Sequence, residues 1–333
     1  MTATGRNDDT LLRILATDDV QQVDISLRDV LDVVEGAYTT LAAGASENPR
    51  KLTVKAPDHS SVAYAMLGRD GTRNVVAIKT SYKRDPEHDR NNQRYYTSLL
   101  LYDDTTGLPV ALMDCGRVGS LRTPAVSALL ARECARPGSR RVLSIGTGTQ
   151  GRLALPFLLL ALPGLEDLML YGTHPDGILA VRDELKRHHP DRELRVVTDL
   201  EEASAEADVV LAVAGPGTPA RVESSWLKPG TLTVLVGYGL APSTLHDADY
   251  VVATSAAQMA VTGTDMADPS GQLRPVDAEL PPILAGQARA RLDPDQRIFA
   301  YNSGLVVTDI ALGHRIAQEA AAQGLGRMVS LWC

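Results

Sequence analysis

Cysteine is scarce in this sequence: Cys115, Cys134 and Cys333 are three in 333 residues. They are too few and too scattered for a disulfide scaffold or a metal knuckle, so no metal site is expected and the thiols read as reduced, as in a cytoplasmic protein. Aromatic residues make up only 4%, with two tryptophans, which leaves little material for base-stacking or sugar-binding platforms. Cations do not dominate either. Lys and Arg number 33 against 41 Asp and Glu, a net charge of -8, and such a surface repels phosphate backbones, so no nucleic-acid partner is expected. Long apolar runs are missing too. The longest, around Leu153 to Leu162, lies between Arg152 and Pro163 and falls short of the roughly 20 residues a membrane crossing needs. The first residues, Met1 to Arg13, carry Arg6, Asp8 and Asp9 and no apolar block with a small-residue cleavage site, so no signal peptide and no membrane partner are expected.

What remains is a globular composition, 44% hydrophobic and 22% charged, in a chain long enough for two domains at about 150 residues each. No internal repeat is visible. From residue 14 to about 114 the pattern is α+β. Ser26 and Asp29 have the spacing of a capping box before a helix with Leu27, Val30, Leu31, Val34, Tyr38 and Leu41 on one face. Strand-like runs follow at Leu52–Ala56, Val62–Leu67, Val75–Ser81, Thr97–Tyr102 and Leu108–Met113, most of them parted by turn-rich pieces, which predicts an antiparallel or mixed sheet. Thr123-Pro124 reads as the N-cap and first turn of a helix ending near Pro137-Gly138. Beyond it, apolar strands at Arg141–Ile145, Leu168–Tyr171, Leu194–Thr198, Val209–Ala214, Thr231–Val236 and Tyr250–Ala253 alternate with helices. Near-continuous apolar strands suit a parallel sheet covered on both faces, so the fold class is α/β, a doubly wound Rossmann-type sheet plus a mixed α+β domain. A last amphipathic helix, Gly304 to Gly324, is expected to return to the first domain.

The chemistry begins at Arg141-Val-Leu-Ser-Ile-Gly146-Thr-Gly148-Thr149-Gln150-Gly151. A hydrophobic strand runs into G-x-G-x-x-G and then into a helical segment from Arg152 to Leu162. Gly146 permits the tight turn, Gly148 lets backbone approach a pyrophosphate, Gly151 allows close helix–strand contact, and the helix N-terminus offers free N–H groups. A dinucleotide cofactor is therefore expected. At the end of the next strand, Tyr171-Gly172-Thr173-His174, no Asp or Glu stands ready to bond a ribose 2′-hydroxyl. That leans the expectation slightly from NADH toward NADPH, with Thr173 and His174 near the phosphate. Two cations stand out beyond the loop. Arg122 in Ser120-Leu-Arg-Thr-Pro can grip a carboxylate in bidentate fashion. Lys79, inside the apolar strand run Ala77-Ile-Lys-Thr-Ser81, must be paired or face a cleft. Arg50, after Asn48-Pro49, is a third and weaker candidate.

On these residues the sequence resembles the ornithine cyclodeaminase/μ-crystallin family from about Ile14 to Gly324. The matching pieces are Ile78-Lys79, the Ser-Leu-Arg122-Thr123 junction, Gly146-x-Gly148-x-Gln150, Trp226-Leu-Lys-Pro-Gly230 and Asn302-Ser303-Gly304. The resemblance implies a homodimer, with residues 1–119 and 305–333 as the substrate-binding and dimerisation domain and residues 120–304 as the Rossmann domain. It implies that Arg122 and Lys79, with Arg50, surround the α-carboxylate of a small amino or imino acid. Thr123 and the glycine turn, Thr149 included, would hold the cofactor, and Val236-Gly237 and Ser303-Gly304 would lie near the nicotinamide. One departure matters. Cyclodeaminases of this family carry an aspartate just after the strand that ends in Val-Gly; here the segment reads Val236-Gly237-Tyr238-Gly239-Leu240, with no carboxylate at the matching place near Gly239. The family's acidic pair near the start of the last helix is altered as well, to Val307-Thr308-Asp309.

These readings together predict an NAD(P)H-dependent oxidoreductase acting on the C–N bond of a small amino or imino acid, as an imine reductase or as an amino-acid dehydrogenase. Lys79 could serve as proton donor or as electrostatic partner, and Tyr238 is a further candidate donor. Two rivals stay open: a cyclodeaminase with tightly held NAD, and a non-catalytic protein that binds NAD(P)H. The segment Lys83–Arg94, rich in charge and amides, reads as a lid or a solvated loop.

Overall fold

In the computed structural model, which describes residues 11–58, 60–84 and 95–331, the elements run in this order. β1 (Leu11–Leu15), α1 (Thr17–Gln22), α2 (Leu27–Ala42), β2 (Ser46–Glu47), β3 (Leu52–Lys55), β4 (Ser61–Asp70), β5 (Val75–Arg84), β6 (Tyr95–Asp103), β7 (Pro109–Asp114) and α3 (Gly116–Cys134) come first. An alternating stretch follows: β8 (Arg141–Ile145), α4 (Ala154–Ala161), β9 (Asp167–Tyr171), α5 (Pro175–His188), β10 (Leu194–Val196), α6 (Leu200–Glu206), β11 (Val209–Ala212), β12 (Leu232–Leu235), α7 (Ser243–His246), β13 (Tyr250–Ala253), α8 (Ala256–Thr262), β14 (Ala278–Glu279), α9 (Leu280–Leu284) and β15 (Ile298–Tyr301). α10 (Val306–Ala322) and β16 (Arg327–Ser330) complete it. The chain divides into two units. The first holds the described residues up to Ser26, Thr40–Gly119 and those from Val306 onward; the second holds Leu27–Thr39 and Ser120–Leu305. Part of the segment Lys83–Arg94 lies outside the described residues.

The first unit is a mixed sheet with strand order β16-β1-β7-β6-β5-β4-β2, β3 also pairing with β4. β1 runs parallel to β7 and the other pairs are antiparallel. Burial alternates along β5: Val75, Ala77, Lys79 and Ser81 point inward, while Ile78, Thr80 and Tyr82 are exposed, the period-two signature of a sheet covered on one face. α10 covers that face over β4, β5 and β6. The fit depends on two glycines. A Cβ on Gly68 would stand 2.6 Å from Val306 Cγ1, and one on Gly313 would stand 2.3 Å from Leu99 Cδ2.

The second unit is an eight-stranded sheet, order β10-β9-β8-β11-β12-β15-β13-β14, every neighbour parallel. β11, β12 and β15 are buried at every position, as expected of strands covered on both faces. Order reverses between β8 and β11, since β8 leads to β9 and β10 on one side and β11 continues on the other. Ligands bind at such a switch point, outside the carboxyl ends of the strands. Arg132 on α3 clamps Glu35 on α2 with two bonds of 2.8 Å, fixing how the two helices meet.

Three sequence expectations change. Thr123-Pro124 does not open a helix: α3 begins at Gly116, and Pro124 sits inside it. Pro124 cannot donate to the Ser120 carbonyl, at a cost of about 3 kcal/mol in a helix interior, so the helix is held by packing; Val118, Ala125, Val126, Leu129 and Leu130 are fully buried. The pyrophosphate-side helix begins at Ala154 and not at Arg152, because residues 149–153 form turns first. β15 was not foreseen, yet it is the strand that joins β12 to β13.

Candidate functional site

The carboxyl edge of the parallel sheet is where the second unit concentrates its unusual backbone. Gly146 leaves β8 at φ 113°, and a Cβ there would stand 2.7 Å from the Ala214 Cα and N. Any side chain is excluded, because φ and space both forbid it. Gly151 folds back so closely that a Cβ would lie 2.2 Å from the Gly146 carbonyl oxygen, whereas nothing lies within 4 Å of a Cβ placed on Gly148. The turn is thus tight at its two ends and open in the middle, where Gly148, Thr149 and Gln150 present backbone. The Arg152 N–H donates to the Gly148 carbonyl at 3.1 Å, leading the turn toward α4. This is a cradle that fits a pyrophosphate.

Ala214 is also where a second loop crosses. Tyr238 and Ala214 exchange backbone bonds of 3.0 and 3.2 Å, and a Cβ on Gly237 would stand 2.5 Å from the Ala214 carbonyl oxygen. Gly146 and Val236-Gly237 therefore flank the same residue. Thr173 and His174 are exposed between β9 and α5. Thr147 ties that corner to the loop, for a Cβ on Gly172 would meet its Cγ2 at 2.5 Å and one on Gly177 its Oγ1 at 2.3 Å. Beside Gly237 and Tyr238, Arg221, Asp265 and Tyr301 line a cavity of about 190 Å³. The Tyr301 hydroxyl donates to Thr262 Oγ1 at 3.1 Å, and burial pushes its pKa up, which keeps it a neutral donor.

Arg122 and Ser303-Gly304 also come together within this unit. The Arg122 guanidinium is seated against Gly304: a Cβ at 304 would stand 2.3 Å from Nη1, 2.9 Å from Nη2 and 3.0 Å from Cζ, and φ there is 63°. Asn302, 3% exposed, holds the arrangement. Its amide nitrogen donates to the Thr123 carbonyl at 3.1 Å and to Ser127 Oγ at 3.0 Å, while its backbone N–H donates to the Leu235 carbonyl at 2.9 Å. Ser303 shares a 2.6 Å hydrogen bond with Thr254 Oγ1. Thr123 is buried in α3.

In the first unit, Lys79 is 4% exposed and Asp309 is not exposed at all, and the Lys79 ammonium donates to Asp309 Oδ1 at 2.7 Å. The expectation that Lys79 must be paired or face a cleft is met by a partner 230 residues away. Asn48 Oδ1 accepts from the Val307 N–H at 3.3 Å, in the first turn of α10, and Arg50 follows two residues later, exposed. Sequence reasoning singled out neither Asp309 nor Asn302 as a site residue. A lysine in an apolar strand called for a partner or a cleft, and the resemblance named Asp309 only within the family's altered acidic pair, not as the partner of Lys79. Among the described residues, no group of three or more His, Cys, Asp or Glu is arranged to hold a metal ion, and no helix is long and apolar enough to cross a membrane.

Residues 13–324 match the model of the ornithine cyclodeaminase/mu-crystallin family. The chain belongs to that family. Among curated family relatives, it is 27% identical to the nodulation efficiency protein NfeD of Rhizobium meliloti over 96% of this chain and 98% of that protein. It is 24% identical to the N-((2S)-2-amino-2-carboxyethyl)-L-glutamate dehydrogenase of Staphylococcus aureus over 75% of this chain and 76% of that one. Among solved structures, a Thermococcus litoralis Delta(1)-pyrroline-2-carboxylate reductase in complex with NADH and L-proline superposes with a TM-score of 0.79 at 22% identity, over 96% of this chain and all of that one (100%). An archaeal alanine dehydrogenase dimer with bound NAD gives a TM-score of 0.81 at 21% identity, over 97% and 100% of the two chains. These likenesses show a shared fold. The cofactors they name are NADH and NAD, and the lean toward NADPH finds no support in them.

Proposed function

We propose that the chain is an oxidoreductase that uses a nicotinamide dinucleotide to interconvert a small imino acid and the corresponding amino acid at the C–N bond. The observation that carries the reading is Arg122 held against Gly304 in the same unit whose carboxyl edge bears the glycine cradle. Gly146, Gly148, Thr149, Gln150 and Gly151 would hold the pyrophosphate, Thr173 and His174 would stand at the adenosine ribose, and Thr123, Val236-Gly237 and Ser303-Gly304 would hold the nicotinamide half. When bound, the dinucleotide supplies or accepts the hydride.

The rest is the work of this chain's side chains. Arg122 would grip the carboxylate, so that the carbon one bond away keeps a fixed orientation; orientation alone contributes about 7–11 kcal/mol to such reactions. Lys79 would serve as a second cation for the substrate and Arg50 as a third. The relatives support this class of reaction, since their names include an imino-acid reductase and two amino-acid dehydrogenases.

Position 239 speaks against the cyclodeaminase reading. Gly239 has φ 128°, and a Cβ there would lie 3.1 Å from Ile145 Cγ2 and 3.3 Å from the Ala212 Cβ. A carboxylate at this place would be strained and would point into apolar surroundings.

A homodimer belongs to the same proposal. The sheet face away from α10 exposes Leu52 at 72% and Val54 at 71%, and it forms a groove of about 570 Å³ with Tyr64, Tyr82 and Tyr96. An apolar patch of this kind marks an association surface, so Leu52→Glu is expected to yield monomers in light scattering. A cytoplasmic location completes the reading. The deciding experiment is a panel of cyclic and linear 2-imino acids tested with NADH and with NADPH, following loss of the reduced nicotinamide absorbance. Oxidation with at least one compound is expected. Dinucleotide binding without turnover of any of them would instead favour a binding protein, and ammonia release from a diamino acid without net cofactor turnover would favour a cyclodeaminase.

A further inference from the structure

A buried ion pair is an expensive way to stabilise a sheet. Taking two charges out of water costs several kcal/mol per ion, and a well-packed apolar pair of the same volume is often as stable or more so. Lys79 and Asp309 are nevertheless both buried and 2.7 Å apart. Lys79 is also one of only six lysines in the chain, the others being Lys51, Lys55, Lys83, Lys186 and Lys228.

Its directly opposite neighbours on the two adjoining strands are apolar. Met66 on β4 and Leu99 on β6 pair with Lys79 across the sheet, and the charged partner on α10 is Asp309. His314, five residues further along α10 and so about one and a half turns away, answers to a different group: Asp70, Arg73 and Asp103 at the hairpin ends. An ammonium in an apolar site loses its proton readily unless an anion stabilises the charge.

We propose that Asp309 is a positioning residue that keeps Lys79 charged and aimed. Lys79 then acts as a permanent cation for the substrate carboxylate and not as the donor of the proton that the imine nitrogen takes up. The inference rests on the reading of Lys79 as a substrate cation, but its first test does not.

With lysine side chains isotopically labelled, six ammonium signals are expected, and Lys79→Arg identifies the one from Lys79. In the protein without substrate, Asp309→Asn is expected to lower the pH at which that signal titrates by one unit or more, a tenfold or greater loss of proton affinity, and Asp309→Glu to restore most of it. An unchanged titration in Asp309→Asn would overturn the proposal. Should Asp309→Asn fail to fold, Asp309→Ser, which also removes the carboxylate charge, takes its place, and an unchanged Lys79 titration there would overturn the proposal equally. The second arm uses whichever imino acid the panel shows to be reduced. Asp309→Asn is expected to raise KM tenfold or more at neutral pH with a smaller fall in kcat. A basic limb of the wild-type kcat profile that coincides with the Lys79 titration and moves with it in Asp309→Asn would make Lys79 the proton donor and overturn the assignment. If no imino acid is reduced, the functional reading fails while the lysine titration still decides the role of Asp309.

Discussion

Gly304 makes the room in which the Arg122 guanidinium lies, and no other residue could. A methyl group at 304 would stand 2.3 Å from Nη1, at a backbone φ of 63°. Gly304→Ala should therefore displace the guanidinium and add about 1–3 kcal/mol of backbone strain. The expected result is a tenfold or greater rise in KM for the imino acid, with a much smaller loss of dinucleotide affinity, measured by steady-state kinetics and by nucleotide fluorescence titration. An unchanged KM for the imino acid would remove Arg122 from the substrate role.

The glycine cradle makes a complementary prediction. Gly146→Ala places a methyl group against the Ala214 backbone at φ 113°, so the turn must open. Dinucleotide binding should fall by more than tenfold in calorimetry, while Gly148→Ala, which meets nothing within 4 Å, should leave the fold intact and weaken only the approach of the phosphates.

Asn302 makes three side-chain bonds from a buried position: its amide nitrogen donates to the Thr123 carbonyl and to Ser127 Oγ, and its Oδ1 accepts from the Gly304 N–H at 3.2 Å. Asn302→Ala leaves both of those acceptors buried without it, at about 1–3 kcal/mol. For a unit of this size that is a fall in Tm of roughly 2–4 °C per kcal/mol, readable by scanning calorimetry. Asn302→Asp, which keeps the shape and removes the donor, should be no better.

How much of this was legible beforehand differs from residue to residue. The cradle was readable because its signal is local: a strand, three spaced glycines and a helix within about twenty residues. Thr123-Pro124 misled for the same reason, since a threonine followed by proline carries every local mark of a helix start. The tertiary bonds from Asn302 and the buried face of α3 override that signal, and they come from 175 residues away and more. β15 is four residues long, too short for periodicity to separate it from a loop. Asp309 could not have been paired with Lys79 from the sequence, because chemistry named the type of partner and only the fold names its position.

Acid should weaken the second unit through Asp208. Burial pushes its pKa up, but the Lys228 ammonium at 2.8 Å and the Arg140 and Arg141 N–H groups more than reverse this, and the net shift is downward. A depressed carboxylate contributes stability that is present above its unfolded value, 3.8, and is lost as pH falls through the folded one. Urea unfolding at pH 6 and at about pH 3 should show a steep loss in the wild type and a shallower one in Asp208→Asn.

Cys134 should be chemically silent. Burial pushes its thiol up to about 12, and a thiol without thiolate does not alkylate. Iodoacetamide at pH 8 should leave the Cys134 peptide unmodified in the native protein and modify it fully in denaturant, as read by mass spectrometry.

The outermost strand pair joins segments from opposite extremes of the sequence: Leu11 faces Ser330, and Arg13 reaches the Leu325 carbonyl across 312 residues. During synthesis β1 can settle beside β7 early, yet its other side stays open until β16 has been made. An unfinished sheet margin is an invitation to foreign strands, so the growing polypeptide is most vulnerable to mispairing over the whole time it takes to make the nucleotide-type unit.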